Sequence, residues 1–305
     1  MINLFNINHY TINTKDFDNV LNGKIVKSFE NNFAKYVGAK YACGVNSATN
    51  AIFLSMLGKN TTVTIPSIIP PVVLNAILLS GNKIEFKDDI SWVGGSYVLH
   101  RFKDYKIIDS AQKVEREQFK KEANPEDLMI FSFYPTKPVG SIDGGIIVSN
   151  DKEKIEWFQK AVLNGTSASK NSWGREIHFP GWKSYLNSSQ AFIASENLKK
   201  LDSKNARLAE IRSIYNKQLG FSNTSSHLYR VLSDNRDHFI SEMRKKEIMC
   251  GIHYSATHLN DVYNKQSLTL PLSEIQDKKT VSIPFHEKLT DDNVSYIIES
   301  CKELF

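Results

Sequence analysis

Only three cysteines, Cys43, Cys250 and Cys301, occur among the 305 residues. They are far apart and odd in number, which excludes a disulfide framework and a metal-ligand cluster, so free thiols and no metal are expected. Long hydrophobic runs are also missing. The longest, Ile68 to Leu79, is interrupted by Pro70, Pro71 and Asn75 and falls short of the roughly 20 residues that a membrane span needs. The start, Met1 to Asn6, has no basic region followed by an apolar core, so no secretory signal is visible and a cytoplasmic location is expected. Blocks of like charge are absent as well. The net charge is +5, yet the basic residues are mixed with acids, as in Lys152 to Lys160 and Lys199 to Lys204. Nucleic-acid binding, which wants a basic face or a basic and aromatic motif, is disfavoured; a modest positive excess suits phosphorylated ligands.

What is present is ordinary for a soluble globular enzyme, with 41% hydrophobic and 23% charged residues,. The length suggests about two domains. Apolar residues at Ile25, Val26, Phe29, Phe33 and Tyr36 recur at helical spacing, with Gly38 where a C-cap glycine belongs,. Short β-rich runs then alternate with helical patterns: Tyr41 to Val45, a helix opening at Ser47 to Thr49, Thr62 to Ile65, a helix near Val72 to Leu79, and Lys83 to Phe86. This alternation indicates an α/β domain with a mainly parallel sheet. Further strands are expected at Tyr97 to His100, Tyr105 to Asp109, Leu128 to Phe133 and Gly145 to Ser149. One long helix from about Ser189 to Leu219 is expected to link a large domain, residues 1–200, to a smaller C-terminal α+β domain, residues 201–305. No repeat or low-complexity tract occurs.

The polar residues of greatest chemical interest fall where strands end, which is where open α/β sheets bind ligands. Phe131-Ser132-Phe133-Tyr134-Pro135-Thr136-Lys137 closes one strand with a lysine on a Pro-bearing turn, and Ile107-Ile108-Asp109-Ser110-Ala111-Gln112 closes another with an aspartate. Desolvation of a lysine held in such a place lowers its pKa and makes its amine a nucleophile toward an aldehyde. An aspartate can hold a pyridine nitrogen protonated, which turns the ring into an electron sink. Together the two residues read as a pyridoxal phosphate site. Each alone says little, because a lysine after a strand is ordinarily solvated and an aspartate there is a common helix N-cap.

The surrounding residues resemble the sugar aminotransferase branch of the fold-type I pyridoxal phosphate enzymes, the DegT/DnrJ/EryC1/StrS family. The landmarks stand in the family's order: Phe29-Glu30 with Phe33-Ala34-Lys35-Tyr36, then Asn46-Ser47-Ala48-Thr49-Asn50-Ala51, Ile65-Pro66-Ser67, Asp109-Ser110-Ala111-Gln112, Phe131-Ser132-Phe133 with Lys137, and Asp143-Gly144-Gly145. His253-Tyr254-Ser255-Ala256-Thr257-His258 and Val281-Ser282-Ile283-Pro284-Phe285-His286 continue the match. The resemblance implies an aspartate aminotransferase-like fold with a mainly parallel large-domain sheet and a small C-terminal α+β domain. It implies that Lys137 binds the cofactor's aldehyde and carries the proton in transfer, that Asp109 pairs with the pyridinium, and that Gln112 lies near the ring. Ala48 and Thr49, at the family's Gly-Thr pair, would hold the phosphate at a helix start, with the Ser132 hydroxyl joining them. Ser47 and Thr49 are equally suited to capping that helix, and Ser132 to a buried bond with backbone. Gly181-Trp182-Lys183 matches a segment that supplies a phosphate contact from the neighbouring subunit, which implies a homodimer with shared sites. His253, Tyr254 and His258 match a motif near the sugar; a buried structural histidine is the plain alternative for either ring.

The implied activity is transfer of an amino group, with glutamate as donor, to a nucleotide-linked keto-deoxysugar in surface polysaccharide or glycan biosynthesis. A dehydratase of the same fold is disfavoured because those relatives replace the lysine with histidine. A non-catalytic or regulatory protein of the same fold is the other competitor, motivated by Pro70 and the shortness of the chain, two of the departures from the family's pattern. Pro70 stands where the family has an aromatic that stacks on the cofactor. The stretch between Asp88 and Ile107 is short. Asn164 replaces a histidine before Gly165.

Overall fold

In the computed structural model, which describes residues 1–168, 174–263 and 267–305, the first apolar stripe lies on one helix, α1 (Lys24–Val37). Gly38 ends it in the left-handed conformation, φ 82°, and its N–H closes on Ala34 and Lys35 carbonyls,. Next come β1 (Tyr41–Val45), α2 (Ala48–Met56), β2 (Thr62–Pro66), α3 (Pro71–Leu79) and β3 (Lys83–Lys87). After them run β4 (Tyr97–Arg101), β5 (Lys106–Asp109), α4 (Gln118–Glu122), β6 (Leu128–Ser132), β7 (Gly145–Ser149) and α5 (Lys152–Ala161).

The expected α/β class holds, but the sheet is mixed rather than mainly parallel. Five strands pair in the order β1-β7-β6-β5-β4, and β2 with β3 form a separate parallel pair. Within the five, only β5 and β6 are parallel; β1 with β7, β7 with β6, and β5 with β4 are antiparallel. The connection between β4 and β5 explains the last pairing. Residues 102–105 alone join them, and the Phe102 N–H closes the turn on the Tyr105 carbonyl at 2.8 Å. So short a link permits a hairpin but not a parallel crossover, which needs about a dozen residues.

Both faces of this sheet are covered, and the two-residue period of the strands decides which side chain meets which layer. On β6, Leu128 and Ile130 enter one core cluster, shared with α2 and α3, while Met129 and Phe131 enter a second, shared with α1. Phe29 and Phe33 of α1 meet Phe131 and Phe133 edge to face, with ring centroids 5.0 to 5.4 Å apart. Burial of each such ring contributes about 1.5–3 kcal/mol, so α1 fixes the strand that delivers Ser132 and the turn leading to Lys137. Ile107 of β5 and Ile147 of β7 lie on the α2 side. By alternation so do Asp109, Ser132 and Gly145, one position beyond Ile108, Phe131 and Ile146 or before it.

Beyond α5, the short strands β8 (Thr166–Ala168) and β9 (Arg175–Ile177) pair antiparallel. The single helix expected from Ser189 to Leu219 is two, α6 (Ser188–Lys199) and α7 (Leu201–Leu219). The break falls where the chain changes cores. Leu201 is fully buried in the second cluster, and Leu208, Ile211 and Tyr215 belong to a third; Lys200, at φ −97° and ψ −2°, closes a tightened turn on Asn197 between them,. The third cluster is completed by β10 (Tyr229–Leu232), α8 (Arg236–Lys245), β11 (Thr280–Ile283), α10 (Asp291–Lys302) and the side chain of Ile2. Between α8 and β11 lies α9 (Pro271–Lys279). Among the described residues, no helix is long and apolar enough to cross a membrane, no cluster of metal-ligating side chains exists, and all three cysteines are unpaired.

Candidate active site

The α2-facing ends of β5, β6 and β7 open into a cavity of about 490 Å³ lined by Ala48, Thr49, Asp109, Gln112, Ser132, Lys137, His253 and Tyr254, among others. Eight of the ten residues expected at a site are therefore brought together from segments spread over two hundred positions of sequence. The helix α2 points its first turn into the cavity. Ser47 caps it by accepting from the Asn50 N–H at 3.2 Å, and the Ala48 and Thr49 N–H groups have no partner within the helix itself. Gly145 lets this helix come close: a Cβ added there would stand 2.6 Å from the Ala48 nitrogen. Ser132, paired with Gly145 across the ladder, presents its hydroxyl on the same side.

Lys137 borders the cavity on a turn whose backbone N–H donates to the Tyr134 carbonyl at 2.9 Å. Enough protein surrounds its amine that desolvation pulls its pKa down to about 8, against a smaller upward pull from the Asp109 charge,. Relative to an ordinary lysine at 10.5, the fraction of neutral, nucleophilic amine at pH 7 rises about 300-fold. Asp109 is buried, 5% exposed. Burial raises its pKa, while donation from the Ala111 N–H and the Tyr97 hydroxyl, both at 2.9 Å, and the Lys137 charge favour the ionised form.

Gln112 is clamped at both ends, accepting from the Gly94 N–H at 2.7 Å and donating to the Tyr254 hydroxyl at 2.9 Å. The His253 Nδ1 bonds to the Ser282 hydroxyl at 2.9 Å. Desolvation first, then the charges of Lys137 and Arg230, hold this ring's pKa at about 4, so it is neutral at physiological pH.

Two expected residues lie elsewhere. His258 is buried behind the cavity, its Nδ1 2.6 Å from the Ser67 hydroxyl, and it does not line the space where a ligand would sit. Lys183 is exposed on a segment pinned by backbone bonds, with the Trp182 N–H on the Ala161 carbonyl and the Ser184 N–H on that of Val162. Its amine makes no hydrogen bond or ion pair among the described residues. The same loop holds Asn164 at φ 64°, a left-handed conformation that asparagine tolerates better than most residues.

Sequence reasoning missed other lining residues, notably Phe5, Trp92, Asp143 and His227. His227 stacks on Phe5 with centroids 5.6 Å apart, and neither residue carries a local signal of its place. Trp92 bears on the missing aromatic at Pro70. Its indole N–H donates to the Ile68 carbonyl at 3.0 Å, which ties the ring to the Pro70 segment, and its plane is nearly parallel to Tyr254 at 6.3 Å.

The residues fit pyridoxal phosphate. There is a neutralisable amine for its aldehyde, a buried carboxylate for its ring nitrogen, and a helix start opened by Gly145 for its phosphate.

Comparison with known proteins agrees with this fit. The model of the DegT/DnrJ/EryC1/StrS aminotransferase family matches residues 6–89 and 105–302. The chain is 26% identical over 332 residues to UDP-4-amino-4,6-dideoxy-N-acetyl-beta-L-altrosamine transaminase of Campylobacter jejuni subsp. jejuni serotype O:23/36, covering 90% of this chain and 88% of that enzyme. It is 24% identical to the spore coat polysaccharide biosynthesis protein SpsC of Bacillus subtilis, covering 92% and 90%. Among solved structures, the aminotransferase TlmJ from Streptoalloteichus hindustanus superposes over the whole of both chains with a TM-score of 0.83 at 22% identity. The PLP form of the putative sugar aminotransferase Spr1654 from Streptococcus pneumoniae shares the fold with a TM-score of 0.76 at 18% identity, covering 95% of this chain and 93% of that one. On its sequence match and its fold, the chain belongs to the pyridoxal phosphate-dependent DegT/DnrJ/EryC1/StrS aminotransferase family.

Proposed function

We infer that this aminotransferase moves an amino group from glutamate to a nucleotide-linked keto-deoxysugar, within surface polysaccharide or glycan biosynthesis. The observation that carries the reading is the single cavity shared by Lys137, Asp109 and the start of α2. Its context is the Campylobacter relative, a transaminase of a UDP-linked amino sugar. When bound, pyridoxal phosphate supplies the electrophilic carbon and the electron sink. The chain supplies the rest. Lys137 Nζ, with its depressed pKa, would take the proton from the amino-bearing carbon of the donor and, in the second half of the exchange, would return one to the former keto carbon of the sugar,. Asp109 would hold the ring nitrogen protonated. The first turn of α2 and Ser132 would hold the phosphate, and Gln112, His253 and Tyr254 would form the wall that faces the sugar.

The direct test is turnover: glutamate with a panel of UDP- and dTDP-linked keto-sugars should yield 2-oxoglutarate and an amino sugar. A protein that releases 2-oxoglutarate with none of the panel, yet does so with an ordinary amino-acid keto acid, would contradict the sugar assignment.

The reading includes a homodimer in which Lys183 reaches the phosphate of the partner's site. Its support is the unpartnered, exposed amine on a rigidly held segment. A cation on a phosphate contributes about 1.5–3 kcal/mol, so Lys183→Ala should weaken cofactor binding about ten- to a hundred-fold. At cofactor concentrations too low to fill Lys183→Ala dimers, mixing Lys137→Ala with Lys183→Ala chains should create heterodimers with one intact site and recover activity that each parent lacks. An active monomer, or no recovery despite proven subunit exchange, rules the shared site out.

A further inference from the structure

The family match stops at residue 89 and resumes at 105, yet the residues between reach the active-site cavity. Trp92 and Gly95 line it, Gly94 holds Gln112, and the Tyr97 hydroxyl donates to Asp109 Oδ2. This stretch is therefore a part of the site that lies outside the family match. We propose that Tyr97 is a positioning residue that keeps Asp109 ionised and aimed at the cofactor's ring nitrogen. The proposal rests on the role given to Asp109 above.

The placement of Tyr97 depends on an irregularity in the hairpin. At the turn end, Arg101 pairs with Lys106 and His100 with Ile107; beyond the shift, Val98 pairs with Ile108 and Tyr97 with Asp109. Leu99 is the extra residue. Were Leu99 to pair with Ile108 instead of bulging out, the turn-end register would run on and set Val98 opposite Asp109, with no donor. A bulge of this kind re-aims side chains by one position. It brings the tyrosine opposite the aspartate, close enough for the 2.9 Å hydrogen bond.

The two donors on Asp109 fall on different oxygens, Ala111 N–H on Oδ1 and Tyr97 on Oδ2. This fixes the carboxylate plane and leaves each oxygen a lone pair for a third donor. A hydrogen bond to a carboxylate favours its charged form, whereas burial opposes it. When a carboxylate shares a proton with a pyridine nitrogen, the same balance decides where the proton rests. With the Tyr97 donor removed, Asp109 becomes the stronger base and draws the proton off the ring nitrogen, weakening the electron sink. The Tyr97 ring is itself held against Trp92, with centroids 4.8 Å apart, so loss of the hydroxyl alone leaves the packing in place.

The test is the resonance of the ring nitrogen in holoenzyme reconstituted with pyridoxal phosphate isotopically labelled at that atom. Tyr97→Phe should move the signal from the pyridinium toward the pyridine position. It should also slow the half-reaction with glutamate about tenfold or more while leaving KM for glutamate within about twofold. Ring-fluorinated tyrosine placed at the same position, a stronger donor of nearly the same shape, should move the signal the other way, and it serves if the phenylalanine variant does not fold. A signal unmoved in both overturns the proposal, provided Asp109→Asn does move it. If Asp109→Asn leaves it unmoved as well, the role of Asp109 fails and the proposal falls with it.

Discussion

Lys137→Ala should lower transamination by about 10⁴-fold, the upper end of what a positioned acid–base group contributes. Among the described residues it is the only lysine lining the cavity, so no neighbouring amine can take over either the covalent hold or the proton transfer. The effect is separable from unfolding. The folded-state pKa of about 8 lies below the ordinary 10.5, so between those values the unfolded chain binds a proton that the folded chain does not. Stability of the cofactor-free protein therefore rises with pH across that window, and the alanine variant should lose this rise while remaining folded. Addition of a small primary amine should restore part of the lost rate. A variant that retains more than about a tenth of wild-type turnover would remove Lys137 from the chemistry.

Asp109→Asn should lower turnover by about a hundredfold or more, because a neutral amide cannot hold the ring nitrogen protonated. The substitution is close to isosteric; its single amide oxygen can still accept from the Ala111 N–H, and its NH2 can donate to the Tyr97 hydroxyl, which accepts as well as donates, so the fold and the cavity should persist,. The loss should appear in kcat rather than in KM for glutamate, since the carboxylate acts on the ring and not on the donor. Single-turnover kinetics of each half-reaction provide the measurement. An unaltered rate with glutamate would assign Asp109 to structure alone.

Much of this arrangement was legible in the chain because strand ends and helix starts carry local signals. The 3.6-residue stripe of α1 with its Gly38 cap, the apolar runs of β5 and β6, and the Ser47 cap before Ala48 and Thr49 are each written in a few adjacent residues. What was hidden depends on contacts distant in sequence or on register. The placement of Tyr97 opposite Asp109 requires that Leu99 bulge out of the ladder unpaired, which alternation alone does not reveal. The hairpin that sets β4 antiparallel to β5 follows from the shortness of the link between them, a topological consequence that the strand signals themselves do not carry. Phe5 and His227 come to the cavity from far along the chain and mark themselves by nothing local. His258 shows the converse: its motif neighbours His253 and Tyr254 line the cavity, but its own ring turns inward to Ser67. The break at Lys200 likewise separates two buried faces that only tertiary packing distinguishes.

The central claim is that Lys137 is the residue that captures the cofactor, and borohydride reduction of the reconstituted protein followed by peptide mapping tests it most directly. The expected result is one pyridoxyl label per chain on Lys137, with the rate of capture rising as pH climbs through about 8, because only the neutral amine attacks the aldehyde. A label on another lysine, or no label at all, would contradict the account.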